Sequence, residues 1–348
     1  MRLLISSGIW TLMFFFLFTG FSYGESAARK HYYDGVEFAS NGNFALARDE
    51  FKEALHIDPR RNAYKNSLKI IEDIIALHVR KEAAMHAFVG IAHGNKGDLE
   101  KAIKEYTKAL EIDAQFAGAY NNRGSSYQRK GQYDLAIADH TKAIEIDPQY
   151  AGAYNNRGGS YQKKGQYDLA IADFTKAIEI APELSAAYIN RGSVYDDKGL
   201  YERAIVDYTK ALDIDPLLTA AYNNRGISYS NNRQFENAIK DFNQAIDMEP
   251  ENTATYYNRG ISFSNSKQFY RAISDYKKAI EIDPNFASAY DNLGFVYLVK
   301  LGDKTNGCKE FKMACRLGKC DNYNIVQVRG ICSSLSAERP IEEPKEKQ

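Results

Sequence analysis

No excess of charge of either sign marks this 348-residue chain: 45 Lys and Arg balance 45 Asp and Glu. The two signs interleave, so the basic stripe expected of a nucleic-acid binder is missing. Also missing are a nucleophile elbow, a phosphate loop and a metal-ligand motif, which removes the usual signatures of catalysis and of a bound cofactor. Cysteine is absent from everything before Cys308. Long apolar runs are confined to Met1–Phe21, where a single basic residue precedes Leu-Leu-Ile and then Trp-Thr-Leu-Met-Phe-Phe-Phe-Leu-Phe. Ser22-Tyr23-Gly24 follows with small residues at the two cleavage-determining places, so residues 1–24 read as a secretory signal peptide. The run is nearly long enough to span a bilayer, which keeps an uncleaved membrane anchor as the alternative. Either way the chain is expected to be exported, to the periplasm or the medium.

What the chain does have is a period. Tyr-Asn-Asn-Arg-Gly begins at Tyr120, Tyr154 and Tyr222, and looser copies at Tyr188 and Tyr256 complete a 34-residue repeat. A fixed period of this length signals a stack of small units. In residues 151–184, Ala153, Tyr154, Gly158 and Tyr161 mark one half, and Tyr167, Ala170, Ile171, Phe174, Ala177 and Ile178 the other. Within each half the apolar residues fall three, four and seven apart, the spacing of one buried helical face. Gly165 suits the end of the first helix. Ala181-Pro182, or Asp-Pro at Asp147, Asp215 and Asp283, stops the second. Each unit is therefore expected to be two antiparallel helices, and the fold class all-α.

Small residues where the helices approach (Gly158 and Ala170, Gly192 and Ala204), large aromatics between them, and a closing proline together resemble the tetratricopeptide repeat. The resemblance implies an α-solenoid of about eight units forming a superhelix. The register gives an N-terminal unit within 25–61, a connecting helix at 62–82, seven tandem units over 83–319, a cysteine-bearing capping helix at 320–333 and a disordered charged tail at 334–348. The last unit needs one inserted residue near Gly302 to keep Phe311 and Ala314 in place. Residues 62–82 read as helical, either as a separate helix or as one run with the next.

Cys308, Cys315, Cys320 and Cys332 cluster at the C-terminal end, an even number that suggests disulfides in an exported protein. Cys308 and Cys315 lie about 10 Å apart on one expected helix, too far to pair. Cys315–Cys320 with Cys308–Cys332 fits a helix that folds back, and Cys308–Cys320 with Cys315–Cys332 is the second arrangement. A four-thiolate zinc site is disfavoured, because paired knuckle spacings are lacking. No metal or cofactor is expected.

The tyrosines and His31, His86, His93 and His140 occupy slots that pack helix on helix, so neither group reads as a binding platform or ligand set. Arg123, Arg157, Arg191, Arg225 and Arg259 stand where the family usually has leucine. Sixteen residues after each comes Asp139, Asp173, Asp207, Asp241 or Asp275, which implies repeated, partly buried ion pairs across the helix pair. Units whose arginine slot holds Asp34, Val89 or Leu293 carry Glu50, Glu105 or Glu310 instead.

Asn122, Asn156, Asn190, Asn224, Asn258 and Asn292 recur two residues after the first-helix aromatic, although asparagine is a mediocre helix former. The resemblance implies that first helices line a concave groove. In some members asparagines at this position hold an extended peptide by its backbone. The competing reading is a consensus residue that only ties helices together. Neighbouring Asn121, Ser125, Gln128 and Arg129, then Asn155, Gln162 and Lys163, then Asp196 and Asp197, give way to Ile227, Ile261 and Phe295, so the groove is expected to become more apolar towards its end. The expected function is a non-catalytic scaffold for a protein or peptide partner in the cell envelope. The alternative is an assembly factor of a secretion or surface-polymer machine that works through its other face or cap.

Overall fold

In the computed structural model, residues 26–75 and 80–332 are described; the N-terminal apolar run and the charged tail lie outside them. The described residues contain helices and turns but no strand. They divide into two compact units at Pro182/Glu183. The first holds α1 (residues 26–40) and α2 (Phe44–Ile57), α3 (Asn62–Ile75), and the pairs α4 (Lys81–Asn95) and α5 (Leu99–Ile112), α6 (Ala117–Arg129) and α7 (Tyr133–Ile146), α8 (Ala151–Lys163) and α9 (Tyr167–Ile180). The second pairs α10 (Ser185–Asp197) with α11 (Tyr201–Ile214), α12 (Thr219–Asn231) with α13 (Phe235–Met248), α14 (Thr253–Asn265) with α15 (Phe269–Ile282), and α16 (Ala287–Phe295) with α17 (Lys304–Arg316). A short helix, α18 (Asp321–Val328), closes it.

Both ends of each pair are written locally. The turn glycine Gly165 takes φ +72°, and Gln166 N–H donates back to the Tyr161 carbonyl at 2.9 Å, which satisfies the frayed end of α8. At the other end Asp147 folds its carboxylate onto the Gln149 N–H at 3.0 Å, and Asp113, Asp215 and Asp283 do the same one unit apart or more. The core between the helices is one contact repeated eight times. A Cβ on Gly158 would meet the Phe174 ring at 2.8 Å, and Gly35, Gly90, Gly124, Gly192, Gly226, Gly260 and Gly294 face Phe51, Tyr106, His140, Tyr208, Phe242, Tyr276 and Phe311 at 2.6–2.9 Å. These second-helix rings are buried, whereas Tyr154, Tyr161 and Tyr167 are half-buried, with part of each ring left to water.

Two elements depart from the plain register. Arg80 has extended geometry (φ −69°, ψ 133°) as it opens α4, so α3 and α4 are separate helices. Lys69 of α3 reaches Asp147 at 3.2 Å and lies 5.5 Å from the Tyr150 ring, docking the extra helix onto a later pair of the same unit. The residue inserted into the last pair lies earlier than Gly302: Val296–Lys300 forms a π-helical turn, with Leu301 N–H donating to Val296 O at 3.1 Å. Widening one turn absorbs the extra residue inside the helix and leaves the interhelical glycine turn at Gly302 intact.

Two disulfides fasten the end. Cys315–Cys320 spans the α17–α18 turn with a Cα separation of 4.0 Å, and Cys308–Cys332 closes outside it at 5.6 Å, the first of the two arrangements open from sequence. Asn322 of α18 donates to both carboxylate oxygens of Asp291 on α16, at 2.9 and 3.0 Å.

At the turn after the first helix, six pairs carry a glycine with positive φ, but two carry Arg233 (φ 60°) and Lys267 (φ 64°). A left-handed non-glycine residue costs about 1 kcal/mol. Arg233→Gly and Lys267→Gly are therefore each expected to raise the urea midpoint by an amount equivalent to about 1 kcal/mol.

Candidate peptide-binding face and its arginine network

Four of the five arginines of the repeated block, Arg123, Arg157, Arg225 and Arg259, join three helices. Arg157 of α8 donates through Nε and Nη2 to both oxygens of Asp173 on α9, each at 2.8 Å, and through Nη1 to Thr141 on the preceding α7 at 3.0 Å. Arg123 repeats the pattern with Asp139 and Thr107, Arg225 with Asp241 and Thr209, and Arg259 with Asp275 and Asn243. Arg191 meets Asp207 in the same bidentate way, at 2.7 and 2.8 Å. The guanidinium also stacks near the first-helix tyrosine, 5.6 Å from the Tyr154 ring centre for Arg157. Hydrogen bonds donated to Asp139 and Asp173 hold Arg123 and Arg157 above the ordinary arginine pKa, so the charge is permanent.

Where the arginine is missing near the N-terminus, histidine replaces it. His31 Nδ1 lies 2.7 Å from Glu50, and His86 Nδ1 lies 2.7 Å from Glu105. The longer glutamate reaches a partner one helical turn earlier than the arginine slot, which accounts for Glu in these two pairs and Asp in the five arginine pairs. These two histidines are ion-pair partners as well as aromatic substitutes. His93 lies 3.7 Å from Asp98. His140, by contrast, is fully buried against Gly124, and both of its ring nitrogens lack a hydrogen-bond partner.

The six asparagines are all half-buried on the first helices. Asn156 Nδ2 donates to Asn121 Oδ1 at 3.0 Å and to Ser125 Oγ at 3.2 Å on the preceding first helix. Asn258 reaches Asn223 at 3.4 Å, and Asn292 reaches Tyr257 OH at 3.1 Å. Asn121 is 3 % exposed and donates to Tyr150 OH, so it belongs to the interior and not to the groove lining expected of it. Arg129 is turned onto the Gly94 carbonyl at 2.9 Å. In the second unit Asp196 is half-buried, accepting from Tyr208 OH at 2.9 Å and from Ser228 Oγ, and burial pushes its carboxyl pKa up. Phe295 is 38 % exposed, while Ile227 and Ile261 are half-buried.

A family model described as "Tetratricopeptide repeat" matches residues 117–150, 151–184, 185–216, 219–252 and 253–286, and related repeat models match 95–131 and 275–309. Together they cover more than half of the chain. It belongs to the tetratricopeptide repeat family. Among solved structures, a tetratricopeptide repeat protein from Parabacteroides merdae is 21 % identical with a TM-score of 0.55, the match covering 73 % of this chain and 98 % of that one. The C-terminal part of a repeat protein from Cytophaga hutchinsonii is 20 % identical at TM-score 0.54 (68 % and 97 % covered), and PilF of Pseudomonas aeruginosa is 20 % identical at 0.53 (59 % and 93 %). At this identity they show the shared fold. A tetratricopeptide array is a scaffold for protein–protein interaction, and such arrays are in general non-catalytic. Among the described residues no group of His, Cys, Asp and Glu is arranged to hold a metal, and no helix is long and apolar enough to cross a membrane.

Two outcomes check the network. Asp173→Ala leaves Arg157 without its carboxylate and is expected to cost about 3 kcal/mol by urea unfolding. Adding Arg157→Leu should recover more than half, and strict additivity of the two changes would refute the coupling. Burial depresses the His140 pKa to about 3, below its unfolded value near 6.5, so only the unfolded chain gains that proton as pH falls. Stability is therefore lost on acidification, by about 2 kcal/mol between pH 7 and pH 5 from this group. His140→Phe is expected to remove that share of the acid-dependent loss in parallel melts.

Proposed function

We propose that this protein is an exported scaffold of the cell envelope that binds an extended segment of a partner protein along its first helices. Asn122 and Asn156 would act in the first unit, and Asn190, Asn224, Asn258 and Asn292 in the second. The observation that carries the reading is how the amide of Asn156 is anchored. Both of its N–H bonds go to the preceding helix, which orients the side chain and leaves Oδ1 as an acceptor only. A row of such acceptors suits the peptide N–H groups of an extended chain whatever its side chains. Tying helices together and receiving a peptide are then two uses of one amide. Export is supported by the Met1–Phe21 run with its small-residue cleavage pattern and by the two disulfides, which persist in oxidising compartments. In this reading residues 1–24 are removed.

The test is backbone N-methylation. A peptide selected from a library on the wild-type protein is re-synthesised with single N-methyl groups at successive positions. Loss of one accepted hydrogen bond is expected to weaken binding about fivefold. Asn224→Ala and Asn258→Ala should give similar losses with helicity unchanged by circular dichroism. If binding survives every methylation and both substitutions, the amides are architectural only.

A further inference from the structure

The last helix pair breaks the arginine rule and leaves its arginine site empty of arginine. In the pairs before it, a guanidinium sits between a second-helix carboxylate and a first-helix ring: Asp241 and Tyr222 around Arg225, Asp275 and Tyr256 around Arg259. The last pair keeps the carboxylate as Glu310 and the ring as Tyr290, but its arginine slot holds Leu293, buried to 1 %. The third contact is altered too: Lys277 stands where Thr209 and Asn243 accept, and its ammonium lies 5.9 Å from the Tyr297 ring. Glu310 is half-buried and makes no hydrogen bond or close ion pair with any described residue; Lys309 and Lys277 act on it only through their charge. Glu310, Tyr290 and Leu293 line a pocket of about 450 Å³ between α15 and α17.

We propose that this pocket takes the guanidinium of an arginine from a partner protein, in a segment where acidic residues flank that arginine. The same two walls hold a guanidinium elsewhere in this chain, so the chemistry of the missing occupant is on display. A carboxylate accepts the planar fork bidentately and the ring receives its face. A lysine would offer only a point charge. Burial already raises the Glu310 pKa, and an entering cation would reverse that strain on its ionised form. The acidic neighbours follow from the rest of the lining, where Lys277, Lys309, Lys312 and Arg316 meet incoming chain. The carboxylates that flank the arginine in such a segment offset these four cations, which would repel a guanidinium arriving alone. None of the row asparagines lines this pocket, so the proposal stands or falls independently of the peptide reading.

Met313 also lines the pocket, and its methyl group reports occupancy. The full chain, disulfides intact and ¹³C-labelled at methionine methyls, is titrated by NMR with Ac-Glu-Arg-Glu-NH2, Ac-Glu-Lys-Glu-NH2 and Ac-Glu-Ala-Glu-NH2. The expected result is a saturable Met313 shift with the arginine peptide, about fivefold weaker or less with the other two. Glu310→Gln should erase that preference. Leu293→Arg should fill the slot from within, and the folded variant should lose the arginine-peptide response. Equal response to all three peptides would make the pocket a general anion patch and overturn the proposal. So would no Met313 shift, or a preference unchanged in Glu310→Gln.

Discussion

Everything in this protein depends on a ring lying against a bare backbone. In eight helix pairs the second helix sets an aromatic side chain, or His140 once, where the first helix has glycine. Any side chain at Gly158 would place its Cβ 2.8 Å from Phe174, closer than real Cβ contacts come. The close approach brings the two helices near enough for the arginine of the first to meet the aspartate of the second, and for first helices of successive pairs to exchange hydrogen bonds. Without it, the polar networks have no fixed geometry to occupy.

The polar chemistry is layered on that packing and varies along the chain in a consistent way. A carboxylate on the second helix is present in every pair, and its partner changes: histidine in the pairs led by His31 and His86, arginine in the five that follow, and no internal partner at Glu310. Because unpaired carboxylates resist burial, each change of partner is matched by a change between Asp and Glu or by an opening to solvent. The asparagine row follows a similar logic. At Asn156 both N–H bonds, and at Asn258 and Asn292 one each, go to the preceding first helix, so part of the amide chemistry of the row is used within the stack.

The C-terminal end shows how a repeat array stops. A stack of identical pairs presents an open face, and closing it takes a device outside the pattern. Here α18 covers the last pair, the amide of Asn322 grips Asp291, and two disulfides hold the turn. Leu298 of the π-helical turn Val296–Lys300 packs against this cap, so the departures from the repeat gather at one end.

Much of this was legible in the residues. The 34-residue period, the turn glycines, the aspartate stops and the sixteen-residue arginine–aspartate spacing are all local or within one unit, and a pattern repeated eight times exposes them. What the chain alone could not say is whatever crosses between units or depends on a rotamer. Thr141 as the third partner of Arg157, Asn121 as the buried anchor of Asn156, and the docking of Lys69 onto Asp147 join residues whose spacing carries no chemical signal. The place of the inserted residue was likewise invisible, because a loop and a widened helical turn absorb it equally well in sequence. Choosing between the two disulfide arrangements also took the fold, since only the path of α18 brings Cys332 back to Cys308. Periodicity determined the architecture because each unit buries the same face. Tertiary packing decided the contacts, because distance in space, and not along the chain, sets which polar groups must be satisfied.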